Sequence, residues 1–453
     1  MEEKILELIG DKKYGQLREM LSEMNPADIA VCFEEISDRE KPVVFRILPK
    51  ELAAEVFVEM DSDMQLLLIT AFSDTELREV MDELFMDDTV DIIDEMPASV
   101  AKRILKQTDA KTRSLINQLL AYPDDSAGSI MTTEYIDLKK DMTVAEAFSR
   151  IRKIGLDTEG IYTGYVIDSG RHLQGIISVR ELLLSPLDKN IGEIMDENVI
   201  FANTLDDKEI VAGMFDKYDI LALPVVDKEN RLVGIVTVDD AIDVLQEEAS
   251  EDIEKMAAIL PSEKTYLRTG VFETFRARIP WLLFLMISAT VTGAIISVYE
   301  KKLTLFPALI AFIPMLMGTG GNSGSQSSVT VIRALSLGDV EFKDIFRVIW
   351  KELRVSVVCG AVLCVVNLLK LYLVDYLLLK SFDDGQELSE MLTVCVTLFF
   401  TVIVAKMVGC ILPIVAKRLK FDPAVMASPL VTTILDAVSL FIYFAVAGAM
   451  IGL

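Results

Sequence analysis

The chain has 453 residues, of which 52% are hydrophobic, and it carries 70 acidic side chains against 44 basic ones. Residues 271–453 hold 13 of the acidic and 15 of the basic side chains, so 57 acidic and 29 basic side chains lie in residues 1–270. Such an acidic segment without a basic patch argues against nucleic acid as a partner and favours small cations, with ordinary solubility as the alternative explanation.

The cysteine and histidine content excludes several kinds of site. The five cysteines form no CxxC pair, and His172 is the only histidine. Neither a disulfide framework nor a thiolate zinc site is indicated, and without a Ser/Cys-His constellation we expect no enzymatic activity. The start of the chain lacks the apolar stretch of a signal peptide, so we expect the acidic part to stay in the cytoplasm.

Residues 1–124 predict an all-α N-terminal domain, here called the N domain. Short stretches with apolar spacing near 3.6 are separated by Asn25-Pro26, Leu48-Pro49, Ser73-Asp74 and Met96-Pro97. These breaks recur at intervals of about two dozen residues, which is typical of stacked helical hairpins that form a small superhelix.

Residues 125–248 contain an internal repeat. Val166-Ile167-Asp168 recurs as Val225-Val226-Asp227, and the segment that starts at Gly175 recurs at Gly234. Each copy predicts a βαββα unit. The repeat resembles a tandem pair of α/β CBS domains, a cytoplasmic module that binds adenine nucleotides or ions, although dimerisation alone also explains it. The two CBS units are expected at 125–187 and 188–248.

Residues 249–272 predict a linker helix. Acidic side chains dominate its start, while Ile253, Met256 and Ile259 fit one apolar stripe. We expect this helix to join the CBS pair to an all-α membrane domain at 273–453.

Five transmembrane helices are predicted in the membrane domain. Ile279 to Tyr299 and Leu303 to Ile332 carry no charge and are long enough to cross a hydrocarbon core of about 30 Å. The other three spans each carry one or two charges. They are Val355 to Leu379, Met391 to Ala416 and Ala424 to Leu453.

Basic residues predict the orientation of these spans. The loop between the second and third spans holds five of them, and the loop between the fourth and fifth holds three. Both loops should therefore be cytoplasmic, which leaves the acidic loop from Ser381 to Glu390 and the C-terminus outside. The same orientation places the turn Glu300-Lys301-Lys302 outside, although its two lysines would favour the cytoplasmic side.

The second span contains a glycine-rich segment, Gly318 to Ser328. It lacks the Gly-Lys-Ser/Thr ending of a phosphate loop, so an NTPase is not indicated. Asn322, Gln326 and Thr330 are four residues apart and form one polar helix face. Either an interrupted backbone that lines a water-filled cavity or tight helix packing through small residues explains the segment.

The fifth span carries a row of polar residues with Asp436 near its middle. The row is Ser428, Thr432, Asp436, Ser439 and Tyr443, whose spacings of 4, 4, 3 and 4 place them on one helix face. A carboxylate within a span costs about 2.5–3.5 kcal/mol on insertion scales, so a compensating cation or water is expected. Ion pairing with Arg333 or Lys406 is the competing explanation.

The available ligand types restrict the ion. Hard oxygen ligands without histidine or thiolate favour magnesium, calcium or manganese over zinc or copper. Magnesium keeps several waters and is usually held by one or two carboxylates, and a symmetric dimer would bring two copies of Asp436 to its axis.

Two membrane motifs resemble those of the MgtE family of magnesium channels. They are Pro314 to Gln326 with the following Arg333-Ala334-Leu335, and Asp422-Pro423-Ala424 with Ser428 to Asp436. The order of N domain, paired CBS domains, linker or plug helix and five spans is also similar. The resemblance implies a homodimeric, magnesium-selective channel in the cell membrane, in contact with membrane lipid and closed by cytosolic magnesium.

The resemblance also implies roles for particular residues. Asp436 takes the position of the pore carboxylate, and Thr432 that of a backbone carbonyl facing the pore ion; Asn322, Gln326 and Ser428 are further pore-lining candidates. The family commonly has asparagine where this chain has Ser428. The regulatory magnesium ligands implied are Asp219, Asp240, Asp243, Glu248, Glu251, Asp252 and Glu209, with Asp88 and Asp91 in the N domain.

The mechanism that follows is a charge switch. Magnesium ions bridge carboxylates of the N domain, the second CBS unit and the linker helix, and their loss lets like charges repel and the channel open. Mg²⁺ is the expected cofactor and cargo, with ATP as a candidate ligand of the CBS domains. An energy-coupled carrier for another divalent cation and a membrane-anchored magnesium or nucleotide sensor that transports nothing remain as alternatives.

Overall fold

The computed structural model describes residues 2–155, 158–262, 266, 269–303, 307–378, 387–426 and 428–451. Most of the acidic loop expected at Ser381 to Glu390 lies outside these ranges, as do the side chains of Glu300-Lys301-Lys302. The chain divides into two compact units, Met1–Gln246 and Glu247–Leu453.

The N domain is a series of ten short helices between residues 2 and 119, all of which are described. Helices begin where the sequence predicts breaks: the Asn25 side chain accepts from the amide of Ala27, and Ser73 forms a capping box with Glu76. The helices are α1 (Glu2–Gly10), α2 (Tyr14–Ser22), α3 (Pro26–Glu35), α4 (Lys41–Phe45), α5 (Lys50–Val58), α6 (Ser62–Ala71), α7 (Asp74–Met81), α8 (Met86–Glu95), α9 (Ala98–Gln107) and α10 (Ala110–Leu119).

The predicted repeat is confirmed as two βαββα units with the same topology. In each, the first strand pairs parallel to the second and the second pairs antiparallel to the third, with a register irregularity at the same place, Val166/Ile167 and Val225/Val226. The first unit is β1 (Ile136–Leu138), α11 (Val144–Ile154), β2 (Thr163–Ile167), β3 (Leu173–Ser178) and α12 (Val179–Leu184). The second is β4 (Ala202–Asn203), α13 (Lys208–Tyr218), β5 (Ala222–Val226), β6 (Leu232–Thr237) and α14 (Val238–Met256).

One hydrophobic core joins the N domain to the second CBS unit. Buried residues of the N-domain helices belong to the same cluster as Val211, Phe215 and Leu223 of the second unit. This shared core brings the start of α8 close to the start of α14, where both helices carry acidic residues.

The linker helix differs from its predicted limits. Helix α14 runs without a break from the second CBS unit to Met256, and Ala258 follows with a left-handed φ of 55°. The amide of Leu260 then donates to the carbonyl of Ala277 over 3.0 Å. The acidic stretch predicted as a separate linker is therefore the second half of one continuous helix.

The membrane domain contains long helices. They are α15 (Val271–Leu303), α16 (Pro307–Ser336), α17 (Ile345–Lys370, extended by a π-helical turn Leu371–Tyr376), α18 (Glu387–Arg418) and α19 (Ser428–Ile451). Within the described residues, four segments are long and apolar enough to cross a membrane: Val271–Tyr299, Phe342–Tyr376, Leu388–Arg418 and Pro423–Ile451. Helix α16 is not among them because its glycine, serine and amide residues lower its hydropathy, so the count of five spans stays a prediction.

Candidate functional site

The polar row on α19 divides into a half-exposed part and a buried part. Thr432 and Asp436 are partly exposed, whereas Ser439 and Tyr443 are each 1% exposed. The Tyr443 hydroxyl donates to the carbonyl of Leu309 over 2.8 Å. Thr432 and Asp436 are thus accessible to an ion, whereas Ser439 and Tyr443 hold α19 against its neighbours.

Asp436 has no basic partner within ion-pair distance among the described residues. Lys406, which sequence analysis considered as its partner, instead donates to the hydroxyl of Ser327 over 3.4 Å. An uncompensated carboxylate between apolar helices is expected to bind a cation or water. The geometry therefore favours ion contact over a structural ion pair for Asp436.

The glycine-rich segment lies in the continuous helix α16, so the backbone interruption considered above is not found. A Cβ on Gly320 would lie 2.6 Å from Ser439 Oγ, and one on Gly321 would lie 2.8 Å from Thr432 Cγ2. These glycines therefore allow α19 to approach α16 closely. On the other side of α16, Asn322 and Gln326 are exposed, as the predicted polar face requires.

Ser428 begins α19, but its side chain lies outside the described part of the chain. Its predicted contact with the ion remains a prediction.

A buried acidic cluster lies between α8 and the first CBS unit. One carboxylate oxygen each of Asp87, Glu134 and Glu159 lie within 4.8 Å of one another, and Asp87 is 7% exposed. The Glu134 carboxylate accepts from the Met86 amide over 3.0 Å at the positive end of α8. We call these three residues the triad. Oxygen-only ligands at this spacing suit magnesium or calcium.

Burial and like charges raise the pKa values around the triad. The pKa of Asp88 rises to about 7 because of burial and the charges of Asp240 and Asp239. The pKa of Glu159 rises to about 8 because of burial and the charges of Asp88 and Asp240. The pKa of Asp87 is well above its usual value for the same reasons. Such groups retain protons near neutral pH unless a cation replaces them.

The structure brings together only some of the predicted regulatory residues. Asp240, whose carboxylate accepts from Thr237 Oγ1 over 2.5 Å, acts on Asp88 electrostatically. Asp243 is exposed one turn along α14, and its pKa is raised by partial burial and Asp239. Three other predicted regulatory residues between Met1 and Gln246 are exposed and do not belong to the triad. They are Asp91 on α8, and Glu209 and Asp219 at the two ends of α13.

The second half of α14 forms a separate charged cluster with the membrane domain. Lys255 Nζ lies 2.7 Å from Asp422 Oδ2 and 2.8 Å from Glu251 Oε1. Ser336 Oγ donates to Asp252 over 3.3 Å, and the pKa of Asp252 is raised by burial and by the charge of Asp422. Glu248 is half-buried one turn earlier. An ammonium thus already bridges carboxylates of the linker and of the segment that precedes α19.

Sequence reasoning missed the triad and the role of Asp422. Asp87 adjoins the predicted Asp88, so its acidity was visible, but Glu134 and Glu159 lie outside helices and strands and show no periodicity. Asp422 was noted as part of a motif without a role. The only available signal was the excess of acidic residues, which does not say which of them meet.

Comparison with protein families covers most of the chain. A family described as MgtE, a divalent cation transporter, matches residues 313–446, and the MgtE intracellular N domain matches 24–125. The CBS domain matches 127–188 and 191–247.

Curated relatives extend over the full length. The magnesium transporter MgtE of Thermus thermophilus is 36% identical over 456 residues, covering 99% of this chain and 98% of the relative. The magnesium transporter MgtE of Bacillus subtilis is 34% identical over 448 residues, with 99% and 97% covered.

Two solved structures resemble the cytosolic part. A crystal structure of the cytosolic domain of the Mg²⁺ channel MgtE in complex with ATP is 35% identical, with a TM-score of 0.52, and covers 54% of this chain and 100% of that one. The soluble part of a magnesium transporter is 29% identical, with a TM-score of 0.51, and the match covers 55% and 98%. Together with the full-length relatives, these matches show that the chain belongs to the MgtE family.

Proposed function

We propose that this protein is a magnesium-selective channel of the cell membrane that carries Mg²⁺ inward and closes when cytosolic Mg²⁺ binds to it. The observation that carries the proposal is the half-exposed Asp436, which has no ion-pair partner among the described residues and lies on an apolar helix. Membership of a family whose full-length relatives are named magnesium transporters supports the same function.

The channel works as a homodimer, in which two copies of Asp436 face a common axis. Magnesium gives up its water reluctantly and is usually bound through one or two carboxylates, so a pair of aspartates suits a largely hydrated ion. Thr432, one turn before Asp436, supplies a backbone carbonyl, and Asn322, Gln326 and Ser428 line the path. Membrane lipid surrounds the outer helices.

The N domain and the CBS pair lie in the cytoplasm, and the chain crosses the membrane five times, which leaves the C-terminus outside. The basic residues of segments 333–354 and 417–420 support this orientation. The proposed domain limits are 1–124, 125–187, 188–248, 249–272 and 273–453, with the start of the linker forming the end of helix α14.

Regulation depends on carboxylates that repel one another in the absence of a cation. Mg²⁺ is held by the triad with Asp88 and Asp240, and further ions lie near Asp91, Glu209, Asp219 and Asp243. Glu248, Glu251 and Asp252 of the linker complete the regulatory set. The raised pKa values of Asp88 and Glu159 support this proposal: burial raises them most, and the neighbouring carboxylates, whose charge a divalent ion would offset, raise them further.

Influx needs no catalytic step. A divalent ion gains about 4.6 kcal/mol per 100 mV when it moves to the negative side, which is twice the value for one charge. The CBS pair binds ATP, as supported by the ATP complex of the similar cytosolic domain, and the nucleotide adjusts magnesium affinity through linkage.

The test is magnesium flux into liposomes that contain the purified full-length protein. A voltage alone, without a proton or sodium gradient, should drive Mg²⁺ inward, and Mg²⁺ on the cytoplasmic side should stop the flux. Flux that requires such a gradient would indicate a carrier. No flux under any of these conditions would indicate a sensor and contradict the proposal.

A further inference from the structure

Two buried side chains of opposite charge lie within the membrane domain, and the proposed pore does not use them. Glu352 on α17 is 9% exposed and Lys406 on α18 is 6% exposed. Ser327 on α16 bridges them: its hydroxyl donates to Glu352 Oε2 over 2.7 Å and accepts from Lys406 Nζ at 3.4 Å. Ionisable groups inside a membrane are costly, and by default they indicate a functional role.

An open cavity lies beside this pair. It has a volume of about 620 Å³, and its lining includes Ser325, Gln326, Thr330, Glu352 and Lys406. The lining is partly polar and partly apolar, since Val329 and Val355 also contribute to it. Glu352 and Lys406 therefore border the cavity while their side chains stay largely buried.

The cavity adjoins the proposed ion path. Ser325 Oγ lies 3.4 Å from Thr432 Oγ1, and Thr432 is one helical turn before Asp436. Gln326, one of the exposed residues on the polar face of α16, also lines the cavity. Ser325 thus borders the same cavity as Glu352 and Lys406 and also contacts the polar row on α19.

The sign of the two charges matters for a divalent cation. Lys406 alone would raise the electrostatic potential beside the path and repel the ion, whereas Glu352 alone would lower it and attract the ion. Charges within such a site interact more strongly than in bulk water because the surroundings are of low dielectric constant. Because the ion carries two positive charges, it responds to the charge of either side chain.

We propose that Glu352 controls ion conduction by neutralising Lys406 through Ser327, which leaves the cavity beside Thr432 electrically balanced. Lys406 is the charge that limits cation entry, and Glu352 is the positioning residue that holds and cancels it. This inference rests on the proposed function, because it concerns the passage of a divalent cation past Asp436.

The test uses three variants of the full-length protein in liposomes: Glu352→Gln, Lys406→Met and the double variant. Mg²⁺ influx is measured at concentrations well below saturation and divided by the amount of folded protein found by size-exclusion chromatography. Lys406→Met should raise the influx, and Glu352→Gln should lower it, each by about threefold to tenfold. The double variant should return to within about twofold of the wild type, because the pair is again neutral.

Lys343→Met is the matched control, since this exposed lysine pairs with Glu341 on a loop outside the cavity. It should leave the influx unchanged. A purely structural role for the pair predicts that both single variants lower the amount of folded protein without opposite effects on flux per molecule. Shifts of the same sign, or a double variant no closer to wild type than either single variant, would overturn the inference.

Three further outcomes can be distinguished from one another. If Glu352→Gln does not fold, Lys406→Met and the double variant still decide, because the first must exceed the second. If the wild type carries no Mg²⁺, the proposed function fails. If the wild type carries Mg²⁺ but the variants lack the expected order, only the present inference fails.

Discussion

Two kinds of carboxylate have different surroundings in this protein. Asp436 lies on an apolar helix without an ion-pair partner among the described residues. The carboxylates of Asp87, Glu134 and Glu159 are close enough to bind one ion, and their like charges repel one another. The first arrangement suits brief contact with a hydrated ion, whereas the second suits an ion that stays bound and holds two segments together.

Asp436→Ala should abolish magnesium influx while leaving the protein folded. Removing the carboxylate leaves the path without a fixed negative charge for the divalent ion, and the side chain makes no ion pair with the described residues whose loss would unfold the helix. The measurement is growth and Mg²⁺ uptake in a cell that lacks other magnesium transport, with size-exclusion chromatography as the folding control. Uptake that persists would refute the assignment of Asp436 to the pore.

The raised pKa values predict how stability depends on pH. Without divalent ions, Asp88 and Glu159 bind protons more tightly in the folded state than their usual values of 3.8 and 4.5 allow, with pKa values of about 7 and 8. The contribution of these two groups to the free energy of unfolding is therefore complete below about pH 4. It falls as the pH rises towards 8, by about 2 kcal/mol after allowance for solvent screening.

Chemical unfolding of the full-length protein in detergent and chelator at several pH values measures this loss. Asp88→Asn should flatten the dependence, and saturating Mg²⁺ should remove most of it. A stability that rises between pH 5 and pH 8 in chelator would contradict the proposed crowding of charge.

At the scale of elements, α14 carries proposed regulatory residues along its whole length. It starts in the second CBS unit, where Asp240 interacts with Asp88, and it ends with Lys255 in contact with Asp422. A continuous helix transmits displacement better than two helices joined by a loop. The hydrogen bonds to Asp422 and Glu251 outweigh the effect of burial and raise the pKa of Lys255, so its ammonium remains charged.

Lys255→Met should increase flux in the absence of cytoplasmic Mg²⁺. The substitution removes the ammonium that bridges Glu251 and Asp422, so these carboxylates repel each other and the linker separates more easily from the segment before α19. Flux into liposomes with chelator inside measures the effect. Saturating Mg²⁺ should still close the variant.

Lys351→Met provides the control, because Lys351 is an exposed lysine of the same domain. An increase of equal size in both variants would point to a general effect of charge and not to the contact with Asp422.

At the scale of the whole molecule, charge separates sensing from conduction. The acidic excess lies in residues 1–270, while the membrane domain is close to neutral. The carboxylates of residues 1–270 are therefore the proposed ligands of a regulatory divalent ion. Neutralising these groups should affect closure without removing the path for the ion.

The combined variant Asp87→Asn, Glu134→Gln and Glu159→Gln should keep the channel active at internal Mg²⁺ concentrations that close the wild type. The neutral side chains bind Mg²⁺ weakly, so the ion no longer bridges these residues and a higher concentration is needed for closure. Flux against internal Mg²⁺ concentration gives the midpoint, which should rise at least about tenfold if one site of typical coupling energy is lost.

The control replaces three exposed carboxylates outside the triad: Glu83→Gln, Asp94→Asn and Asp216→Asn. It removes the same formal charge and should leave the midpoint within about twofold. An unchanged midpoint in the triad variant would show that regulation lies elsewhere.

The sequence by itself was sufficient for the order of the parts, because that order depends on local patterns. Helix starts at Asn25 and Ser73, the duplicated strand pattern and the polar row through Asp436 are properties of neighbouring residues. Only the tertiary structure decided which charges meet. Glu134 and Glu159 reach Asp87 from loops, Lys255 reaches Asp422, and Lys406 reaches Ser327 and not Asp436. These contacts join residues far apart in the chain, and no local periodicity encodes them.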